Sequence, residues 1–169
     1  MNLENSSAWS KFRKRITINA EPQAIYNAFA SQIGLENWFL RRAQFLTSDG
    51  RVRKNDELIQ GGDRYVWLWH GYGDEVSEKR EIIEANNRNY LAFSFTGGCK
   101  VSVRIQRAGG ENLLELIQEN IVFEENPYQN LFVSCGEGWT FYLTNLKSYL
   151  EGGIDLRNKN KNIQNLINA

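Results

Sequence analysis

The chain has no excess charge of either sign: 20 Lys and Arg balance 20 Asp and Glu. Nucleic-acid binders normally carry a basic excess, so no nucleic acid is expected as a partner. Histidine occurs once, as His70, and cysteine twice, as Cys99 and Cys135, with no Cys-x-x-Cys pair. One histidine and two scattered cysteines cannot build a structural zinc site, and no metal or cofactor is expected. The isolated cysteines fit free thiols in a reducing compartment. No stretch is long and apolar enough to span a membrane, which argues against membrane insertion. Residues 1–15 lack the apolar run of a signal peptide, and the expected location is cytoplasmic. What remains is ordinary for a soluble domain: 169 residues, 41% of them hydrophobic, enough to bury a core without staples. The expected division is a loose N-terminus over 1–10, a single domain over 11–151, and a polar, Asn- and Lys-rich tail over 152–169.

Proline occurs only at Pro22 and Pro127, each beside an expected helix start. The stretch from Asn126 to Glu151 organises the rest. Phe132, Cys135, Trp139, Leu143, Leu146 and Leu150 recur at helical spacing and form one broad apolar face. Asn126 suits the cap and Gln129 completes a capping box; Ser134 with Glu137 is a second capping box, which would start the helix later. Gly152 suits its end. Gly136 and Gly138 lie inside it, each costing about 1 kcal/mol against Ala. Close packing against a strand is the ordinary reason for such a glycine. The alternative is room left for a bound molecule.

The rest of the chain reads as one strand, two short helices and a run of strands. Phe12, Ile16 and Ile18 alternate with polar residues. Lys11, Arg13, Lys14 and Arg15 then form the wet face of that strand rather than an anion site. Glu21-Pro22 opens a helix with Ala24, Ile25, Ala28 and Phe29 on one face, and 32–39 is a second, weakened by Gly34. Expected strands follow over 43–46, 52–53, 57–60, 65–72, 76–85, 91–96, 99–106 and 113–119, separated by Gly- and Asn-rich turns. In the last of these the favoured inward residues are Leu114, Leu116 and Gln118. The tail carries one potential helical turn at Ile163, Leu166 and Ile167.

Sequential hairpins imply an antiparallel sheet, one face of which the long helix must cover. The fold class is α+β, and a bent sheet closed over one helix leaves a cavity between them. Its candidate lining is Trp38, Tyr65, Trp67, Trp69, Phe93, Gln118, Cys135, Trp139 and Leu143. Chemistry inside it is sparse. His70 has no nucleophile elbow beside it and reads as a partly buried side chain. The Gly-Gly turns lack the helix a phosphate loop requires. Cys135 near a helix start could have a lowered pKa, but on the apolar stripe it reads as a small core residue. No catalytic residue is assigned.

Four residue groups carry a family resemblance. They are Ile18-Asn19-Ala20-Glu21-Pro22-Gln23-Ala24-Ile25-Tyr26; Leu35 with Trp38; Gly61-Gly62-Asp63-Arg64-Tyr65; and Gly138-Trp139 followed by Leu143, Leu146, Tyr149 and Leu150. In this order they resemble the Aha1-like family, bacterial proteins named for the C-terminal domain of the activator of Hsp90 ATPase, within the START and Bet v 1-like superfamily. The resemblance covers about residues 11 to 151 and implies the helix-grip fold. That is a curved antiparallel sheet of about six to seven strands, two short helices after strand 1, and a long C-terminal helix across the sheet. It implies a binding domain for an apolar or lipid-like small molecule. Two alternatives stand beside it. One is a protein-interaction module whose partner is a chaperone. The other is a cyclase- or hydratase-like enzyme using His70, Glu137 or Gln118 in the same cavity.

Overall fold

A computed structural model describes residues 8–160, 162–163 and 166–167. Seven strands form one fully antiparallel, curved sheet: β1 (Lys11–Thr17), β2 (Arg42–Leu46), β3 (Arg64–Leu68), β4 (Ser77–Ala85), β5 (Tyr90–Phe95), β6 (Cys99–Ala108) and β7 (Glu111–Glu119). Their order across the sheet is β1-β7-β6-β5-β4-β3-β2. Only β1 reaches a distant partner, pairing with β7 from Lys11↔Glu119 to Thr17↔Leu113; the other pairings join strands consecutive in sequence, as hairpins require. Between β1 and β2 lie α1 (Pro22–Ala30) and α2 (Gln32–Trp38), and α3 (Leu131–Leu150) closes the chain over the sheet. This is the α+β helix-grip architecture that the sequence implies. The residues of the potential turn at 163–167 lie partly outside those described, as do residues 1–7 of the N-terminal segment.

The core lies between the sheet and the helices. Leu114, Leu116 and Gln118 of β7 are each 0% exposed, so the favoured inward face is the observed one. Lys11 of β1 pairs with Glu119 at 3.6 Å, and Arg13 and Arg15 reach Glu115 at 3.6 and 3.7 Å; these three form the strand's solvated face, whereas Lys14 lies on the opposite face, its amino group over the Phe12 ring. Gly34 has a packing reason. A Cβ there would stand 2.1 Å from the Asn27 carbonyl oxygen, so only glycine lets α2 start against α1. The Ser31 hydroxyl caps α2 by accepting from Gly34 N at 3.1 Å.

Four sequence expectations change. The long helix starts at neither Pro127 nor Ser134 but at Leu131, because Asn130 Oδ1 accepts from Phe132 N at 2.9 Å and takes the capping role. Asn126 instead accepts from Tyr128 N at 3.1 Å and shapes a turn before the helix. Residues 52–53 and 57–60 are not strands. Val52 forms only an isolated bridge with Leu46, and a buried pair of Arg53 with Asp63 organises the segment instead. Asp63 also accepts from Gln60 N at 2.8 Å, and Glu57 receives Arg51 at 2.7 Å and Arg53 at 2.6 Å. The aromatic strand ends at Leu68 rather than running to Tyr72, and the chain turns at Gly71, which takes a φ of 77°.

Beyond α3 the chain returns to the body. Asn145 is 0% exposed. Its Nδ2 donates to Trp38 O at 2.7 Å and its Oδ1 accepts from Leu156 N at 2.7 Å. Arg157, 7% exposed, donates to Leu40 O at 2.9 Å, to Glu36 O at 3.0 Å and to the Asp155 carboxylate at 2.7 Å. The loose tail expected from composition does not describe residues 154–157, whose polar groups are held by α2 and α3. Burial opposes ionisation of Asp155, but hydrogen bonds from Arg157 and Lys159 outweigh it and hold the carboxyl well below its usual range.

Candidate functional site

The strands β4 and β5 set the geometry of the site. They pair from Ile82↔Phe93 to Ala85↔Leu91, with a register shift between Ile82 and Glu84. Toward Ser77 the ladder on this side ends, and β4 pairs only with β3, as in Trp67↔Glu78. Ser94 marks the parting: its hydroxyl accepts from Glu81 N at 3.1 Å and donates to Glu81 O at 3.2 Å. The Tyr65 hydroxyl donates to Ser94 O at 2.6 Å. The sheet is therefore splayed at one end, beneath the N-terminal half of α3.

A cleft of about 490 Å³ opens there. Phe39, Trp69, Phe95, Leu131, Cys135, Gly138, Trp139 and Tyr142 give it an apolar wall. Glu75, Ser77, Glu78, Thr96 and Ser134 supply its polar groups. Glu78 is nearly buried and paired with Arg80 at 2.8 Å. Behind the wall the aromatics interlock. Phe39 lies 5.1 Å from Trp139 and 4.7 Å from Tyr142, and Phe95 lies 5.7 Å from Trp139. Trp67 stacks on Tyr65 at 3.9 Å and meets Phe93 edge-on at 5.1 Å.

Of the nine residues proposed from sequence, Trp69, Cys135 and Trp139 line this cleft. The other six, Trp38, Tyr65, Trp67, Phe93, Gln118 and Leu143, are buried behind it, none more than 3% exposed. Residues that periodicity did not select also line it, above all Phe39, Phe95 and Tyr142. Phe39 follows α2 directly and Phe95 ends β5; the end of an element beside a turn is where a cleft wall is exposed. The signal available was the aromatic at each such end.

Gly136 and Gly138 do not have the packing cause that glycines in a helix usually have. A Cβ at either position would meet nothing within 4 Å. Gly138 borders the cleft and, with Gly136, a groove of about 1040 Å³ on the outer side of α3. The groove is lined among others by Trp9, Phe132 and Phe141. Burial pushes the Cys135 thiol up rather than down, so it stays protonated at neutral pH. Burial, and then the charges of Arg157 and Lys159, push His70 down to about 4, so His70 is a neutral imidazole. Neither His70 nor Glu137 lines the cleft, and Glu137 faces the outer groove. Among the described residues no group of His, Cys, Asp and Glu could hold a metal ion, and no helix is long and apolar enough to cross a membrane.

The splayed antiparallel sheet gripping one helix defines a class of small α+β domains, and the family is narrower. The model of the family described as Activator of Hsp90 ATPase homolog 1-like protein matches residues 19–151, and the chain belongs to that family. A search of curated proteins found no match. Among solved structures, a protein of Staphylococcus saprophyticus is 14% identical with a TM-score of 0.67, covering 87% of this chain and 96% of its own. The Aha1 dimer of Colwellia psychrerythraea is 17% identical with a TM-score of 0.64, covering 85% and 97%. An AHSA1-like protein of Aeromonas hydrophila is 17% identical with a TM-score of 0.58, covering 84% and 92%. At these identities the likeness carries the fold alone.

Proposed function

We propose that the protein is a non-catalytic binding domain for an apolar small molecule, seated in the cleft between the splayed strands and the N-terminal half of α3. One observation carries this reading: Gly138, a helix-weakening glycine with no neighbour to demand it, borders the cleft beside an aromatic wall. A helix forgoes about 1 kcal/mol there, and room for a guest accounts for that cost. The volume suits a small ligand. The two cysteines are free thiols, which supports a cytoplasmic setting. His70 and Glu137 lie away from the cleft and Gln118 behind it, so the cyclase or hydratase reading loses the three polar groups it rested on.

Titration of intrinsic tryptophan fluorescence with a panel of fatty acids and polycyclic aromatics tests the reading. A saturable change is expected, because Trp69 and Trp139 form part of the wall. Gly138→Leu should abolish it by filling the cleft. The reading fails if no panel member binds the unaltered protein, or if Gly138→Leu binds as well.

A second reading rests on the family and on the outer groove of α3: a module that acts on a chaperone ATPase through Trp9, Phe132 and Phe141. An unchanged Hsp90 ATPase rate on addition of the protein would remove it.

A further inference from the structure

The cleft beneath α3 carries charge of one sign only. Glu75 and Glu78 line it, and among the described residues that line it none is basic. The chain as a whole is balanced, with 20 basic and 20 acidic side chains, so the bias is local. Glu75 makes no ion pair among the described residues; Arg41 is taken by its chain neighbour Asp74 at 2.6 Å. Glu78, 9% exposed, meets Arg80 Nε through Oε1 at 2.8 Å. Arg80 borders a pocket on the sheet's outer face, shared with Arg64, Val66 and Lys79, and the guanidinium is no part of the cleft. Two carboxylates with no third ligating group do not make a metal site.

The same cleft holds an aromatic cluster. The Phe39 ring lies 6.3 Å from Trp69, 5.1 Å from Trp139 and 4.7 Å from Tyr142, and all four side chains line the cleft. The face of an aromatic ring is the negative end of its quadrupole and attracts an ammonium group within about 6 Å of the centroid. The field of Glu78 reaches the α3 wall: burial first, and then lesser causes that include the Glu78 charge, push the Cys135 thiol up. An anionic guest would be repelled by both carboxylates. A neutral hydrocarbon would strip water from them and return nothing. An apolar body with one cationic group answers the rings and the carboxylates together.

Resting on the cleft being a ligand site, we infer that its ligand is an organic monocation, an apolar body with one quaternary or protonated ammonium group set against the aromatic wall and balanced by Glu75 and Glu78. Two probes of equal shape test this by equilibrium dialysis: benzyltrimethylammonium and neopentylbenzene, in which a carbon replaces the charged nitrogen. A merely apolar cleft binds the hydrocarbon tighter, because the ammonium must give up water. Here the cation should bind the unaltered protein about tenfold tighter than the hydrocarbon. Added sodium chloride should weaken binding of the cation and not of the hydrocarbon. Glu75→Gln combined with Glu78→Gln should erase the cation's advantage, with near-ultraviolet circular dichroism reporting an intact core. A hydrocarbon bound as tightly or tighter in the unaltered protein overturns the cation assignment while leaving an apolar ligand site in place. An undiminished advantage in the folded double variant, or cation binding indifferent to salt, overturns the carboxylates' role; if the double variant does not fold, the salt dependence alone decides that role. If neither probe binds, the inference falls together with the ligand reading beneath it.

Discussion

The two halves of α3 lie over the same sheet and are built to opposite rules. The C-terminal half is fastened. Leu143 and Leu146 are 3% and 0% exposed, Asn145 ties α3 to α2 through Trp38 O, and Lys147 Nζ donates to Thr17 O at 2.8 Å. The N-terminal half carries two glycines, rides over strands that have parted, and borders open space on both sides. Packing density and polar anchoring go with rigidity, and their absence goes with adaptability. The difference assigns stability to one half and leaves the other free for the ligand that we propose.

The sharpest way to break this contrast is Leu143→Ala. It removes a core side chain from the fastened half and should cost about 2–5 kcal/mol in a denaturant titration; a loss well under 1 kcal/mol would show that this half is not the clamp. Arg157→Ala should cost about 1–3 kcal/mol, because it strips donors from the Leu40 and Glu36 carbonyls. Gly138→Ala should act in the other direction, raising stability by about 1 kcal/mol through helix propensity, since its Cβ meets nothing. A destabilised Gly138→Ala variant would mean that the open half is packed after all.

The smallest expected effect concerns pH. With His70 held down to about 4 in the native state, the unfolded chain binds its proton first, at about 6.5. Stability should therefore be complete above about pH 6.5 and be lost as pH falls toward 4. His70→Gln should flatten that stretch of the curve, read from urea midpoints at successive pH values. An unchanged slope would remove His70 as its source.

Architecture was legible in the sequence because period-two strands and one long apolar stripe are local signals. Alternation in β7 left both faces open, and the favoured set, Leu114, Leu116 and Gln118, is the fully buried one. The long helix's start was misplaced because three Asn or Ser residues, Asn126, Asn130 and Ser134, can each cap, and sequence does not say which carbonyls and amides are left over. The segments at 52–53 and 57–60 read as strands because their apolar residues mimic alternation, whereas the Arg53–Asp63 pair that shapes them joins residues ten apart. The candidate site was legible in part. Aromatic richness led to the surroundings of the cleft, but six of the nine chosen residues fill the core, and Phe39, Phe95 and Tyr142 took wall positions. Which aromatic is wall and which is filling depends on where β4 leaves β5, a tertiary event with no local signature.

Arg157 carries one more lesson, about where the folding unit stops. The family match ends at Glu151, yet a guanidinium six positions later is buried against the carbonyls of Glu36 in α2 and of Leu40 just beyond it. A fragment trimmed at the homology border would bare those carbonyls and free Asn145 from Asp155 and Leu156. The packed body therefore reaches at least six residues past the end of the family match.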